Sequence, residues 1–516
     1  MGTTAPPHTD LKIPQLAKEP LLHGPPVSAV VPLADVRAAQ AGWGRLGVRA
    51  RLRVLRRARG AIARSASELA GTVPLELTGS LHRTLADTLV SEVLPLLEAC
   101  RFLEREAEAI LKPRREGNGS RPFWLRGVSV EVRREPMGLV LIIAPGNYPL
   151  FLPGAQALQA LAAGNAVLWK PAPGGEAAAK ALRALLIGAG LNPMLLQVLD
   201  SSVEAGTDAI RGGVDKVILT GSAATGRAVL RELAETATPA VLELSGCDAV
   251  FVLDDADLDR TSAAIAFGLR LNGSATCMAP RRLFVSRATA KALEAKLVPL
   301  LEAVGPVTVT ADTSRLLSGL IEDAERAGAR VICGGIAGVE VRPMLIVGTA
   351  ADMALAQTDL GAPVLSVIVV TDEVDAVAAY SRCRYALSAA VFGSRLAALR
   401  VASHIRAGVV LVNDIIVSTA DPRAPFGGVG ASGFGVTRGR EGLLEMTGIK
   451  TVLVQRSRDR RAYEHTNNGH ADLFRAYIGL AHGSGLRARL SSMVRLGKAM
   501  MRMNDKQGRA AKRRNG

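Results

Sequence analysis

The chain has 516 residues, 48% apolar and 21% charged, with a formal net charge of +16. That length suits two to four structural units with several cores, and with 3% aromatic residues those cores must be built from Ala, Val and Leu. The five cysteines, Cys100, Cys247, Cys277, Cys333 and Cys383, form no CxxC pair and no Cys/His cluster, which argues against a disulfide framework and a structural zinc site and for a reducing, cytoplasmic setting.

Residues 1–30 are Pro-rich and aperiodic, and read as a mobile arm. They lack the apolar core of a secretory signal, and apolar runs such as GLVLIIAPG are too short to span a bilayer. From Asp35 to about Lys112, apolar residues recur every three or four positions among Arg and Glu, a helical pattern. FWLRGVSVEVRREPMG alternates, as a half-buried strand does. After Gly138 the chain changes to βα alternation. LVLIIAP, AVLWKPAP, LLQVLD, VDKVILTGS and AVLELSG read as strands, and LPGAQALQALAAG, GEAAAKALRALLIGAG and TGRAVLRELAETA as helices. This order predicts a parallel sheet with right-handed crossovers. From Asp257 to about Phe434 the alternation resumes, predicting a second α/β domain.

The tail differs. From Gln455 to Gly516 there are 15 basic and 4 acidic residues, so a net +11 of the chain's charge sits there. Within it, Leu486, Leu490, Met493, Val494, Met500 and Met501 share one helical face, with Arg487, Arg495, Lys498 and Arg502 largely opposite.

Four places could carry chemistry, each with a plain structural alternative. LTGSAATG follows a strand and opens a helix. Its Gly221 and Gly226 let backbone approach an anionic ligand, or simply make a tight turn. PGNYP ends a parallel strand, where α/β sheets place ligands; Asn147 could donate to an oxyanion or serve the turn. Glu243 lies within an apolar strand, where burial raises a carboxylate toward a working base, or where a salt bridge holds it. Cys277, in NGSATCMAPRR, has no His beside it. It is an inert small residue, or a nucleophile for a strong electrophile such as an aldehyde.

Taken in order, these segments resemble the NAD(P)-dependent aldehyde dehydrogenase superfamily from about Asp35 to Gln455. PGNYP is similar to the family's PWNxP, AGNAVLWKPAP to aGNxvvxKp, LTGSAATG to FTGSxxxG, and LELSGCDAVFVLDDADLD to lELGGKxxxivxxdADld. NGSATCMAPRRLFV, DLGAPVLSV, PFGGVGASGFG and TGIKTV resemble the nucleophile loop, ExFGPVlxv and the closing motifs.

The resemblance implies two doubly wound parallel-sheet domains, a β oligomerisation element and a basic helical C-terminal tail. On it, the cofactor-binding domain spans 31–119 and 139–244 and the catalytic domain 245–435. The oligomerisation element spans 120–138 and 436–456, and the tail 457–516. It implies Cys277 as nucleophile, Glu243 as general base, and Asn147 with the Cys277 backbone N–H as oxyanion donors. For NAD or NADP it implies Lys170 at the adenosine ribose, Ser222 at the pyrophosphate, Gly221 and Gly226 in the turn, and Asp359 at the nicotinamide ribose. The substrate tunnel would be lined by Tyr148, Leu152, Ala155, Leu271, Met278, Ala420 and Phe426, with no Arg or Lys to grip a carboxylated substrate. An apolar aliphatic or aromatic aldehyde is therefore expected.

The chain departs from the family pattern at several positions. Gly146 replaces Trp, Ser274 and Ala275 replace Gly-Gln, Gly361 replaces Phe, Asp359 replaces Glu, and Cys247 replaces Lys. Pro173 stands where many NAD-preferring relatives carry a ribose-binding Glu, so NADP should be tolerated. Thr437 stands where some hydrolytic relatives have a second Glu, leaving Glu243 as the obvious deacylating base and water, rather than coenzyme A, as the acyl acceptor. The rival readings are a coenzyme A-acylating dehydrogenase and a non-catalytic oligomeric scaffold. A homo-oligomer is expected. The tail reads as a packing helix or a helix on an anionic membrane surface; sparse aromatics weigh against nucleic acid.

Overall fold

The computed structural model describes residues 32–74, 83–125, 127–456, 463, 465–466 and 468–514, with side chains described as far as Arg502. The expected arm over 1–30 lies outside the described residues. Contacts divide the chain into a larger unit, residues up to 114 with 131–452, and a smaller one, 115–130 with 453–516.

In the larger unit, helices Leu33–Arg45, Val48–Arg64 and Leu94–Leu111 fulfil the early helical pattern. Val48–Arg64 buries Leu52, Leu55 and Ile62 and turns Arg53 and Arg56 outward, the expected stripe. Arg51 breaks the stripe but is buried with a purpose. Its guanidinium donates to Leu46 O and, at 2.9 Å, to Ala162 O at the carbonyl end of the next helix. That helix, Phe151–Ala163, stops at Gly164, whose φ of 102° favours glycine.

The first βα region forms a six-stranded sheet in the order 433–434, 240–243, 216–220, 139–143, 166–170, 196–198. Every pairing is parallel except that of Gly433–Phe434 with Ala240–Glu243. Strands Leu139–Ile143 and Ala166–Lys170 are buried throughout, which is why they read as unbroken apolar runs. The second region forms an eight-stranded sheet with Pro280–Ser286 between Val364–Val370 and Asp248–Val252 at its centre. Its core packs Val250, Leu283, Leu365 and Val367 against helices Leu258–Arg270 and Arg287–Glu302. The carboxyl ends of the first sheet's strands deliver Pro145–Asn147, Gly221 and Glu243 to one place.

A three-stranded sheet joins Arg114–Arg115, Val128–Pro136 and Thr447–Gln455, the two longer strands being those expected of the oligomerisation element. In the smaller unit the tail holds two helices, Asn468–His482 and Leu486–Arg514, separated by Gly483-Ser484-Gly485, where Gly485 has φ 90°.

Candidate active site

A cavity of about 880 Å³ opens within the larger unit. Asn147, Glu243 and Cys277 all line it, with Gly221, Ser222 and Asp359 and with Tyr148, Leu152, Leu271, Met278, Ala420 and Phe426. Three expected residues do not line it. Ala155 faces a neighbouring hollow beside Phe151 and Arg438. Lys170 ends its strand outside the cavity wall, and Gly226 lies under Leu244, where a Cβ would come within 2.8 Å of a methyl.

Asn147 is held from both sides. Its side-chain amide donates to Ala275 O at 2.7 Å, leaving its second N–H for another acceptor. Its carbonyl accepts from Arg83 Nη2 at 2.6 Å and from Asn272 Nδ2 at 2.9 Å. Arg83 also donates to Asn272 Oδ1 at 2.6 Å and pairs with Glu92 at 2.7 Å, both side chains of the pair being buried. The other Glu92 oxygen accepts the Leu150 and Phe151 N–H groups at the start of helix Phe151–Ala163. One buried arginine thus ties the Asn147 loop to the Cys277 loop. Nothing local marks Arg83 or Glu92; the sequence signal available was a Glu in the middle of an apolar helical stripe.

The Cys277 loop is strained. Asn272, Gly273 and Ser274 have φ of 56°, 58° and 63°, consecutive left-handed residues. Ser274 sits where the family pattern has glycine, and such a conformation costs about 1–2 kcal/mol for a residue with a Cβ. Arg281 compensates, donating to Ser274 Oγ at 2.7 Å and Ser274 O at 2.6 Å. It reaches on to Ala362 O at 3.0 Å and lies 3.8 Å from Asp359. Cys277 is partly exposed. Burial, and then the charges of Asp248, Glu243 and Asp359, push its thiol well above the usual range.

Glu243 ends strand Ala240–Glu243 and is buried. Its carboxylate accepts hydroxyl bonds from Thr437 and, at 3.0 Å, from Thr220. Burial raises its pKa, while the Thr437 hydroxyl, Arg438 and the Thr220 hydroxyl pull the other way. Thr437, in the position of a second carboxylate, therefore serves the first one.

The expectation names no Arg or Lys to grip a carboxylated substrate, yet the cavity wall as a whole carries four arginines. Arg83, Arg270, Arg281 and Arg438 all line the cavity. Arg438 is buried with its guanidinium 4.4 Å from the Phe426 ring centre, and Nη1 donates to Thr419 O at 2.6 Å. Arg270 and Arg281 flank the Cys277 loop, and the fold brings Arg83 and Arg438 to them from positions distant in sequence.

For a dinucleotide, the chain offers a strand-to-helix turn. Ser222 caps helix Ala223–Thr236, its Oγ accepting from Thr225 N at 3.0 Å, and its backbone and Gly221 open onto the cavity. A Cβ on Gly221 would meet nothing nearer than 3.6 Å, so the turn leaves room for a phosphate. Lys170 is buried, and desolvation lowers its pKa while Asp200, Glu176 and Glu204 raise it. Asp359 is drawn toward Arg281, so it meets a ribose only by sharing that partner. The residues present fit the group.

The aldehyde dehydrogenase family model matches residues 27–452. A 4,4'-diapolycopene aldehyde oxidase of Methylomonas sp is 30% identical over 438 residues, covering 83% of this chain and 81% of its own. A betaine aldehyde dehydrogenase of Cereibacter sphaeroides is 32% identical over 440 residues, covering 82% and 88%. The structure of an NADP-dependent glyceraldehyde-3-phosphate dehydrogenase from Bacillus halodurans, complexed with NADP, matches with a TM-score of 0.75 at 26% identity, covering 82% and 90%. With the family model spanning most of the chain, and the family's motifs meeting at one cavity, this chain belongs to the aldehyde dehydrogenase family of NAD(P)-dependent oxidoreductases.

Proposed function

We propose that the chain oxidises an apolar aldehyde to its carboxylic acid, using Cys277 as nucleophile, Glu243 as base and Asn147 as oxyanion donor. The observation that carries this reading is the convergence of those three side chains on one cavity. Cys277 releases its thiol proton to solvent, its sulfur bonds to the aldehyde carbon, and the carbonyl electrons move onto oxygen. The free N–H of Asn147 meets that oxyanion while Arg83 and Asn272 keep the loop in place. The 221–226 turn would hold NAD(P)+, which would supply the hydride acceptor; loss of the hydride leaves a thioester on Cys277. Glu243 takes a proton from water, which adds to the thioester carbonyl. The C–S bond breaks, releasing the acid and the thiolate. A base raised by burial suits this step near neutral pH.

Tyr148, Leu152, Leu271, Met278 and Phe426 favour an apolar substrate body. The four arginines do not reverse this: the contacts of Arg83, Arg281 and Arg438 are turned to protein carbonyls, side-chain oxygens and a ring, and Arg270 is exposed and acts on the Asp87 carboxylate. The Methylomonas relative's polyene aldehyde is consistent with such a tunnel. Glu243 favours water over coenzyme A as acyl acceptor. Strand Thr447–Gln455, at the edge of its sheet with Ile449 and Leu453 each 65% exposed, supplies a surface for a second copy. Among the described residues no helix is long and apolar enough to cross a membrane.

The test is NAD(P)H formation over a panel of aliphatic and aromatic aldehydes, with and without coenzyme A. Wild type should turn over without coenzyme A, and Cys277→Ala should lose at least about a thousandfold. A strict requirement for coenzyme A would transfer the reading to the acylating class. Catalytic efficiencies with NAD and NADP should lie within about a hundredfold, since Pro173 supplies no carboxylate against a 2′-phosphate. A wider preference for NAD would assign that repulsion to Asp200 or Glu204, which already act on Lys170.

A further inference from the structure

The two tail helices bury small residues between them, leave Leu473, Leu480 and Leu496 half-buried, and carry further large apolar residues outside. Ala476, Ser492 and Ala499 are buried, and a Cβ added to Gly479 would come within 2.3 Å of Ser492 Oγ. Phe474, Ile478, Leu490, Met493, Val494 and Met501 are between 50% and 73% exposed. A hairpin that served only its own packing would do the reverse. At about 100° per residue, helix Leu486–Arg514 has three sectors. Ser492 and Ala499 face the partner helix, Leu490, Met493, Val494 and Met501 form an exposed apolar sector, and Arg495, Lys498 and Arg502 follow beside it.

Charge decides what covers the apolar sector. From Asn468 to Gly516 there are 11 basic and 2 acidic residues, so a second copy of the hairpin would be repelled. From Leu486 onward there is no aromatic residue to stack on a base. An apolar stripe bordered by cations is the pattern of a helix lying in a lipid headgroup layer. In the same unit Trp124, 61% exposed, packs edge-on against Tyr477 at 5.0 Å, and such aromatics favour the bilayer interface.

We propose that the hairpin Asn468–Arg514 docks on an anionic phospholipid surface, with Leu490, Met493 and Val494 among the acyl chains and Arg495, Lys498 and Arg502 at the phosphates. This peripheral contact stands apart from the catalytic reading, because vesicle binding measures no chemistry.

The full chain is sedimented with vesicles of phosphatidylcholine alone and of phosphatidylcholine with phosphatidylglycerol. It should pellet with the second only, and less as salt rises. Leu490→Asp/Met493→Asp/Val494→Asp, at exposed positions, should abolish pelleting with the circular dichroism spectrum unchanged. Arg495→Gln/Lys498→Gln/Arg502→Gln should weaken it roughly a hundredfold, at about fivefold per cation. Absence of pelleting with anionic vesicles, or equal pelleting by the triple Asp variant, overturns the proposal. So does an assembly that dissociates in the triple Asp variant without any vesicle affinity, which would make a second copy the cover. Binding of duplex DNA without vesicle affinity overturns it in favour of nucleic acid.

Discussion

The turn at 220–226, through its first three residues, and the Cys277 loop at 272–277 meet the same cavity but are built by opposite means. The turn is local: Ser222 caps its own helix through Thr225 N, and Gly226 makes room for Leu244, eighteen residues on. The Cys277 loop is under strain and is held by two arginines, one from afar and one seven residues along the chain. Arg83 reaches Asn272 across 189 positions, and Arg281 pins Ser274 in a left-handed conformation. A local device tolerates change around it, whereas a clamped loop depends on each clamp. The loop's departures from the family pattern are thus matched by compensations: Ser274 lost glycine's freedom, and the Arg281 guanidinium fills in.

The largest test of this contrast is Arg83→Met. It strands the buried Glu92 carboxylate and should destabilise the chain by about 3–5 kcal/mol in denaturant melts. Arg83→Met/Glu92→Met should recover most of that stability but not activity. With the clamp gone, kcat should fall about a hundredfold, with the cofactor dissociation constant little changed. A double variant as active as wild type would show that the clamp serves stability alone.

Next comes pH. Burial raises the Asp248 carboxyl from its ordinary 3.8 to about 8, against the pull of the Ser388 N–H and Arg282. A folded-state pKa raised this way contributes stability that is complete below the unfolded value and lost as pH climbs through the folded one. Stability should therefore fall between about pH 4 and 8, by up to about 1.4 kcal/mol per unit. Asp248→Asn should flatten the profile, and a slope unchanged in that variant would place the titration elsewhere.

The smallest effects sharpen the comparison. Ser222→Ala removes a helix cap and should cost about 1 kcal/mol. Ser274→Gly relieves about 1–2 kcal/mol of strain but gives up about 1 kcal/mol of hydrogen bonding to Arg281, a near-zero balance. Calorimetric melts of the pair distinguish the two construction modes. A Ser274→Gly loss larger than that of Ser222→Ala would mean the loop is not strained.

The same contrast sets what could be read from residues alone. Strands at 139–143 and 166–170 are buried on both faces, so their apolar runs announced them. The helix over 151–163 was marked by its glycine stop, and the turn at 221–226 by its own residues. Asn147, Glu243 and Cys277 could be singled out because their motifs travel in order. Arg83, Glu92 and Arg438 could not, since they acquire meaning only when the fold brings distant segments together, and Arg281, though in the Cys277 motif, shows its role only through the left-handed Ser274 it holds. Counting basic residues near the motifs likewise misses the arginines delivered from 83 and 438. The tail's apolar face was visible as periodicity, but its exposure and the small residues between the helices needed coordinates.

The central claim is that Cys277 carries the acyl group that a water activated by Glu243 removes. The most direct measurement mixes Glu243→Gln with an accepted aldehyde and NAD(P)+, without coenzyme A, then takes the intact mass and maps the modified peptide. The account predicts about one reduced cofactor per site and an acyl adduct on Cys277 that persists. Turnover at the wild-type rate, or a folded, cofactor-binding variant whose Cys277 stays unmodified, would contradict it.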